Sequence, residues 1–243
     1  MQFSRAKRPH FSGASPVSRA RGFSLVELSV VLVVIGLIIG AVSIGKDVHR
    51  NAVNQRIASE FIQGWLLAYD SYVTVTGVVP KDNVSIPTGC VNGDCATPTE
   101  LCDDKLRNAM LAAGVGLPQG RAEGREDRYV YLDSNGLPHD IKICFRTVNW
   151  SEPNGSVGSY AVRPRNVMII SGLTPALASF LDHYFDTVVD ARFGNFREKT
   201  YANANNGTKR PWSGDDTVNY AGTKNSHDED QIVELTGYMK MQK

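Results

Sequence analysis

The chain has 243 residues, and its 26 lysines and arginines face 25 aspartates and glutamates, a formal charge of +1. That balance excludes a protein drawn to nucleic acid by its overall charge. No internal repeat and no long low-complexity tract is present, so the length admits one domain with a real core and excludes a repeat array.

The charge is unevenly spread. Residues 1–22 hold Arg5, Lys7, Arg8, Arg19 and Arg21 and no acid, so losing them leaves a mildly acidic remainder. This leader is polar, with Pro9, Ser12, Ser15, Pro16 and Ser18, and has no apolar stretch of its own. From Phe23 to Gly45 every residue is apolar except Ser24, Glu27, Ser29 and Ser43. A helix of this length, at about 1.5 Å per residue, spans roughly 35 Å, enough for a hydrocarbon core of about 30 Å. The basic flank places the N-terminal end of that helix in the cytoplasm and residues 46–243 outside. A secretory signal is cut after its apolar stretch. Here the only signal-like junction, Gly22–Phe23, precedes it, and cleavage there leaves the apolar helix on the mature chain. Glu27 is the one charge inside that helix, and a lone carboxylate in lipid is costly without a partner.

The basic leader, the Gly22–Phe23 junction and Glu27 at the fifth position of the apolar run resemble the class III signal of type IV prepilins and pseudopilins. A plain single-pass anchor accounts for the apolar run and its basic flank, but not for Glu27 or for a Gly directly before Phe. The resemblance is tight over residues 22 to 45 and looser along the helix that follows. It implies that a prepilin peptidase cuts after Gly22 and that Phe23 becomes an N-methylated terminus. It also implies that Glu27 neutralises the terminal amine of a neighbouring subunit during assembly. The implied partners are the peptidase, other pilin or pseudopilin subunits, an inner-membrane assembly platform and the bilayer. The implied location is the inner membrane, single-pass with a periplasmic head, and then a pilus or pseudopilus.

Past Gly45 the helical pattern continues. Val48, Ala52, Ile57, Phe61, Trp65, Tyr69 and Tyr72 recur every three to five residues, opposite Lys46, Arg50, Asn54, Gln55, Glu60, Gln63 and Asp70. This predicts an amphipathic helix over residues 46–76, ended by Gly77 and Pro80, whose aromatic stripe is core packing. Residues 77–100 read as a loop. A short helix is expected over 99–113, with Thr99 as N-cap and Gly114 at its end, and then a loop over 114–127. Strands are expected at Arg128–Asp133 and Ile141–Val148, flanking a turn at Ser134–Pro138, and at Asn166–Ser171. Thr174 and Pro175 open a helix running to about Asp190. Leu177, Phe180, Leu181, Tyr184 and Val188 form its apolar face, and Asp182, Asp186 and Asp190 a solvated acidic one. Residues 191–229 read as irregular and Gln231–Met239 as a closing strand. The expected fold class is α+β and pilin-like. Its long N-terminal helix has a membrane half (23–45) and an amphipathic half (46–76). The latter packs on an extracytoplasmic head (77–243) of antiparallel sheet with short helices.

All four cysteines lie in the presumed outer part, where disulfides persist. Four cysteines allow three pairings. The favoured one joins Cys90 to Cys95 across a small loop and Cys102 to Cys144, a helix to a strand. There is no C-x-x-C pair and no nearby His, so zinc is not expected.

No nucleophile elbow, phosphate loop, zincin motif or dinucleotide fingerprint occurs, and the five histidines are not spaced as metal ligands. No enzyme activity and no cofactor is expected. Asp215, Asp216, Asp228, Glu229 and Asp230 sit in Asn- and Gly-rich loops of a kind that suits calcium, without EF-hand spacing. Lys209-Arg210-Pro211-Trp212 sets two cations beside an aromatic, a composition that contacts DNA, in what otherwise reads as a surface loop. The function implied is a structural subunit of a type IV pilus or type II secretion pseudopilus, with size and long loops favouring a minor or tip subunit. The alternative is a filament-displayed binding module, an adhesin or DNA receptor.

Overall fold

The computed structural model describes residues 22–204, 207–218 and 231–242. Residues 1–21 of the basic leader and the acidic run Asp228, Glu229 and Asp230 lie outside the described residues. The chain divides into two compact units between Val48 and His49.

The helical backbone runs as α1 (Leu25–Arg56), a π-helical segment (Ile57–Ile62) and α2 (Gln63–Thr76). In the second unit the apolar stripe starts to pack at Val53 and Asn54, and Ala52, spaced for the apolar stripe, is exposed. Val48, assigned to the same stripe, belongs to the first unit and is exposed as well. The five-residue step from Ala52 to Ile57 ends where the helix widens. The π segment turns Ile57, Ala58, Phe61 and Ile62 into the core together. Gly77 ends α2 as expected: at φ 76° it is left-handed, and its N–H reaches the Val73 carbonyl.

Six antiparallel strands form the sheet: β1 (Leu101–Cys102), β2 (Arg128–Leu132), β3 (Pro138–Pro153), β4 (Tyr160–Leu173), β5 (Phe196–Glu198) and β6 (Leu235–Lys240). The order is β1-β3-β4-β6-β5, with β2 also on β3. The centre is the β3–β4 hairpin, paired from Lys142 opposite Ser171 to Pro153 opposite Tyr160. Both strands run further than their apolar cores suggest, because the added arm carries Asn149, Ser151, Glu152 and Pro164. Pro164 is tolerated there since β6 pairs with β4 only from Val167 onward, and no ladder on that edge needs its missing N–H.

One sheet face carries Ile141, Ile143, Phe145, Met168, Ile170 and Met239 into the main core. The α2 stripe meets it there: the Trp65 and Tyr69 rings lie 6.2 and 5.1 Å from Phe145. The aromatic stripe is therefore core packing, and removing one such ring costs about 3–5 kcal/mol. The opposite face has a smaller cluster of Cys144, Trp150, Val167, Ile169 and Tyr238.

Two helices, α3 (Asp103–Ala112) and α4 (Pro175–Asp186), complete the packing. The start expected at Thr99 is displaced. Leu101 and Cys102 pair with Phe145 and Cys144 as β1, and Thr99 instead accepts hydrogen bonds from the Asn92 amide. For α4 the start is as expected, with the Thr174 hydroxyl accepting from Leu177 N–H, but its last residue is Asp186, four residues early. Leu177 and Leu181 are buried, whereas Tyr184, in the last turn, and Val188, beyond the helix, are 41% and 55% exposed. β5 arises inside the stretch read as irregular, and β6 begins at Leu235 rather than Gln231.

Disulfides join Cys90 to Cys95 and Cys102 to Cys144, with Cα–Cα distances of 5.4 and 4.6 Å. The second links two paired strands, not a helix and a strand, since Cys102 precedes α3 and lies opposite Cys144. The bridges close loops of very different length, with sequence separations of 5 and 42. Chain entropy then assigns about 2 kcal/mol to the first and about 4 kcal/mol to the second. Denaturant unfolding of the Cys102→Ser/Cys144→Ser and Cys90→Ser/Cys95→Ser variants is expected to show the larger loss for the first pair. An equal or reversed order would contradict the loop-length account.

Candidate processing and assembly site

The start of α1 is set by Ser24. Its hydroxyl accepts the Glu27 N–H at 3.1 Å, and its carbonyl accepts the Leu28 N–H at 3.1 Å. Ser24-Leu25-Val26-Glu27 has the Ser-x-x-Glu form of a capping box, with the donor to Ser24 at the third helical position. Sequence reasoning passed over Ser24, although that pattern was there to be read. The cap keeps Gly22 and Phe23 out of the helix, so their shared peptide bond has no helical hydrogen bonds to break. Glu27 falls in the first turn, where the helix N-terminus favours a carboxylate.

Around and beyond Glu27 the helix is apolar on every side and uncovered. Phe23 is 80% exposed and Leu25 87%, and Val30 to Ile39 contains no buried side chain. A helix that is apolar all round is suited to burial in lipid or among other helices. Among the described residues, one helix is long and apolar enough to cross a membrane.

The head's candidate constellations resolve into structural roles. Asp182, expected on a solvated face, is fully buried. Its Oδ2 accepts Trp212 Nε1–H at 2.8 Å and Asp190 N–H at 2.7 Å. Asp186 accepts Phe196 N–H, and Asp190 accepts the backbone N–H groups of Arg192 and Arg210. The acidic row therefore anchors the segment after α4 through backbone donors. Trp212 is 3% exposed and packs 4.9 Å from the Phe196 ring, so the Lys209–Trp212 run offers no open aromatic to a base. Asp215 turns back on Thr217, and Asp216 accepts Ala176 N–H at the start of α4. His139 is buried between Asp133 (2.9 Å) and Glu234 (3.1 Å), tying the β2–β3 turn to the approach to β6. Glu100, Cys102 and Cys144 approach one another closely enough to hold an ion, but both cysteines are oxidised to one disulfide and offer no thiolate.

Comparison with known proteins singles out the same N-terminal segment. Residues 17–43 match the family model described as the prokaryotic N-terminal methylation motif. Neither a curated protein nor a solved structure matches the chain.

Asp182 generates a pH prediction. Burial pushes its carboxyl up to about 6, aided by Asp186 and Asp190 and opposed by the Trp212 and Asp190 N–H donors. Its Oδ1 is buried with no hydrogen-bond partner, so nothing solvates the charge on that oxygen. The folded state thus binds the proton more tightly than the unfolded one. That stabilisation is complete below about pH 4 and lost as pH rises through about 6, on the order of 3 kcal/mol in all. Thermal melts of the full chain are expected to fall across that window, and Asp182→Asn is expected to flatten the fall. An unchanged slope in the variant would count against this assignment.

Proposed function

We propose that this chain, which carries the type IV prepilin-type signal at residues 17–43, is a structural subunit of a type IV pilus or type II secretion pseudopilus. Its α+β architecture of a long N-terminal helix, an antiparallel sheet and short helices is pilin-like. The observation that carries the reading is the conjunction of the Gly22–Phe23 junction with Glu27, inside a segment matching the methylation motif.

In this reading a prepilin peptidase removes residues 1–22 and methylates the new terminus at Phe23. The apolar half of the helix holds the subunit in the inner membrane, with the head in the periplasm. On assembly, Glu27 meets the terminal amine of a neighbouring subunit. The pair offsets the cost of holding each charge in an apolar bundle. The long loops of the head support a minor subunit, present in few copies at a tip or initiation complex.

Mass spectrometry of the N-terminus tests the processing step, using cells with and without an active prepilin peptidase. The expected product begins at methylated Phe23 and is lost when the peptidase is inactive. An intact leader in normal cells, or a cut beyond Gly45, would overturn the reading.

A further inference from the structure

The two disulfides differ in what surrounds them. Cys102 and Cys144 are paired in strands β1 and β3. Cys144 is 3% exposed, in the cluster of Trp150, Val167, Ile169 and Tyr238. Neither Cys90 nor Cys95 belongs to a strand, and Cys95 is exposed while Cys90 is buried. Both line a cleft of about 640 Å³, a size that admits a small molecule, and Cys95 also lines a second of about 340 Å³. A disulfide exchanges when a thiolate reaches one of its sulfurs, so access decides which bridge reacts and which sulfur is attacked. On that ground Cys95 is the open sulfur of the four.

The segment around this bridge is also held without it. Thr88 and Gly89 N–H groups donate to the Asp82 carboxylate at 2.9 and 2.8 Å. Val91 N–H donates to Thr147 Oγ1 on β3 at 2.9 Å. Asn92 N–H reaches the Pro80 carbonyl at 3.1 Å, and its side-chain amide donates to Thr99 Oγ1 at 3.0 Å. Beyond it, Asp94 accepts Ala96 and Thr97 N–H at 2.8 and 3.0 Å. These bonds involve neither sulfur, so they persist when the bridge opens. With a sequence separation of 5, the bridge also closes the shorter loop and carries the smaller share of chain entropy. Opening Cys102–Cys144 would instead unclip β1, a strand of two residues, from β3.

We propose that Cys95 is a site of reversible thiol–disulfide exchange with a small-molecule thiol of the glutathione class. The incoming thiolate attacks Cys95 Sγ, and the bond to Cys90 Sγ breaks. Its electron pair leaves on Cys90, which takes up the proton that the incoming thiol gave up. One S–S bond is lost and one is made, so no further oxidant or reductant is consumed. The product is a mixed disulfide at Cys95 beside a free Cys90 thiol, on a chain that stays folded. Return attack by Cys90 restores the bridge and releases the thiol. The inference goes beyond the filament reading and rests on the head alone.

The test pulses the full chain, in non-ionic detergent, with reduced glutathione and stops the reaction with N-ethylmaleimide. Fragment-ion mass spectrometry is expected to find glutathione on Cys95 and the maleimide on Cys90, with the far-UV circular dichroism unchanged. The Cys102–Cys144 bridge is expected to open on the order of tenfold more slowly. In Cys90→Ser, oxidised glutathione is expected to modify Cys95 roughly tenfold faster than it modifies Cys90 in Cys95→Ser. Thioredoxin serves as the macromolecular dithiol. Earlier opening of Cys102–Cys144, glutathione carried on Cys90, equal rates in the two variants, or opening by thioredoxin but not by glutathione would overturn the proposal.

Discussion

An apolar helix with no covered side cannot rest in water, and that constraint governs the membrane-length segment at the start of α1. From Leu25 to Val42 the large side chains are exposed around the whole circumference. Lipid satisfies such a surface, and so does a bundle of identical helices, which is why one segment serves as membrane anchor and as filament core in the reading proposed above. Glu27 then turns a general anchor into a specific one. In lipid its carboxylate is a cost, no basic side chain lies between Phe23 and Gly45 to offset it, and in the reading proposed above the terminal amine of a neighbouring subunit does so. Ser24 caps the helix one residue after Phe23, which leaves Phe23 outside the helical hydrogen bonds.

The head solves the opposite problem, covering a one-sided stripe. The rings of Trp65 and Tyr69 meet Phe145 on the long central hairpin, and α3 and α4 close the same layer. Its polar groups are then spent on tethering irregular chain. Asp182, Asp186 and Asp190 satisfy N–H groups of the segment after α4. Asp82 does the same for Thr88 and Gly89, just ahead of the loop closed by Cys90 and Cys95. Buried backbone donors need partners, and in long loops side-chain carboxylates supply them.

Much of this was legible in the sequence where periodicity is strong. The membrane-length run, the stripe through Phe61, Trp65, Tyr69 and Tyr72, the Gly77 stop and the Thr174-Pro175 start depend on local chemistry, and local chemistry decided them. Long-range contacts decided the rest. Leu101 and Cys102 are strand because Phe145 and Cys144 lie opposite, which overrides a plausible cap at Thr99. Asp182 is buried because Trp212, thirty residues on, folds over it. The hairpin arm beyond Val148 was hidden by its polar and Pro residues. The N-terminal segment that matches the methylation motif was legible almost whole, since its pattern is linear along the chain.

The most direct test of the central claim is the charge requirement at Glu27. Shear fractions of filaments would be compared for wild type, Glu27→Val and Glu27→Asp in cells with an intact assembly system. The account predicts that Glu27→Val is processed at Gly22 and stays in the membrane, absent from the sheared filaments, while Glu27→Asp retains partial incorporation. Incorporation of Glu27→Val at the wild-type level would contradict it, because the helix would then assemble without the carboxylate on which the pairing depends.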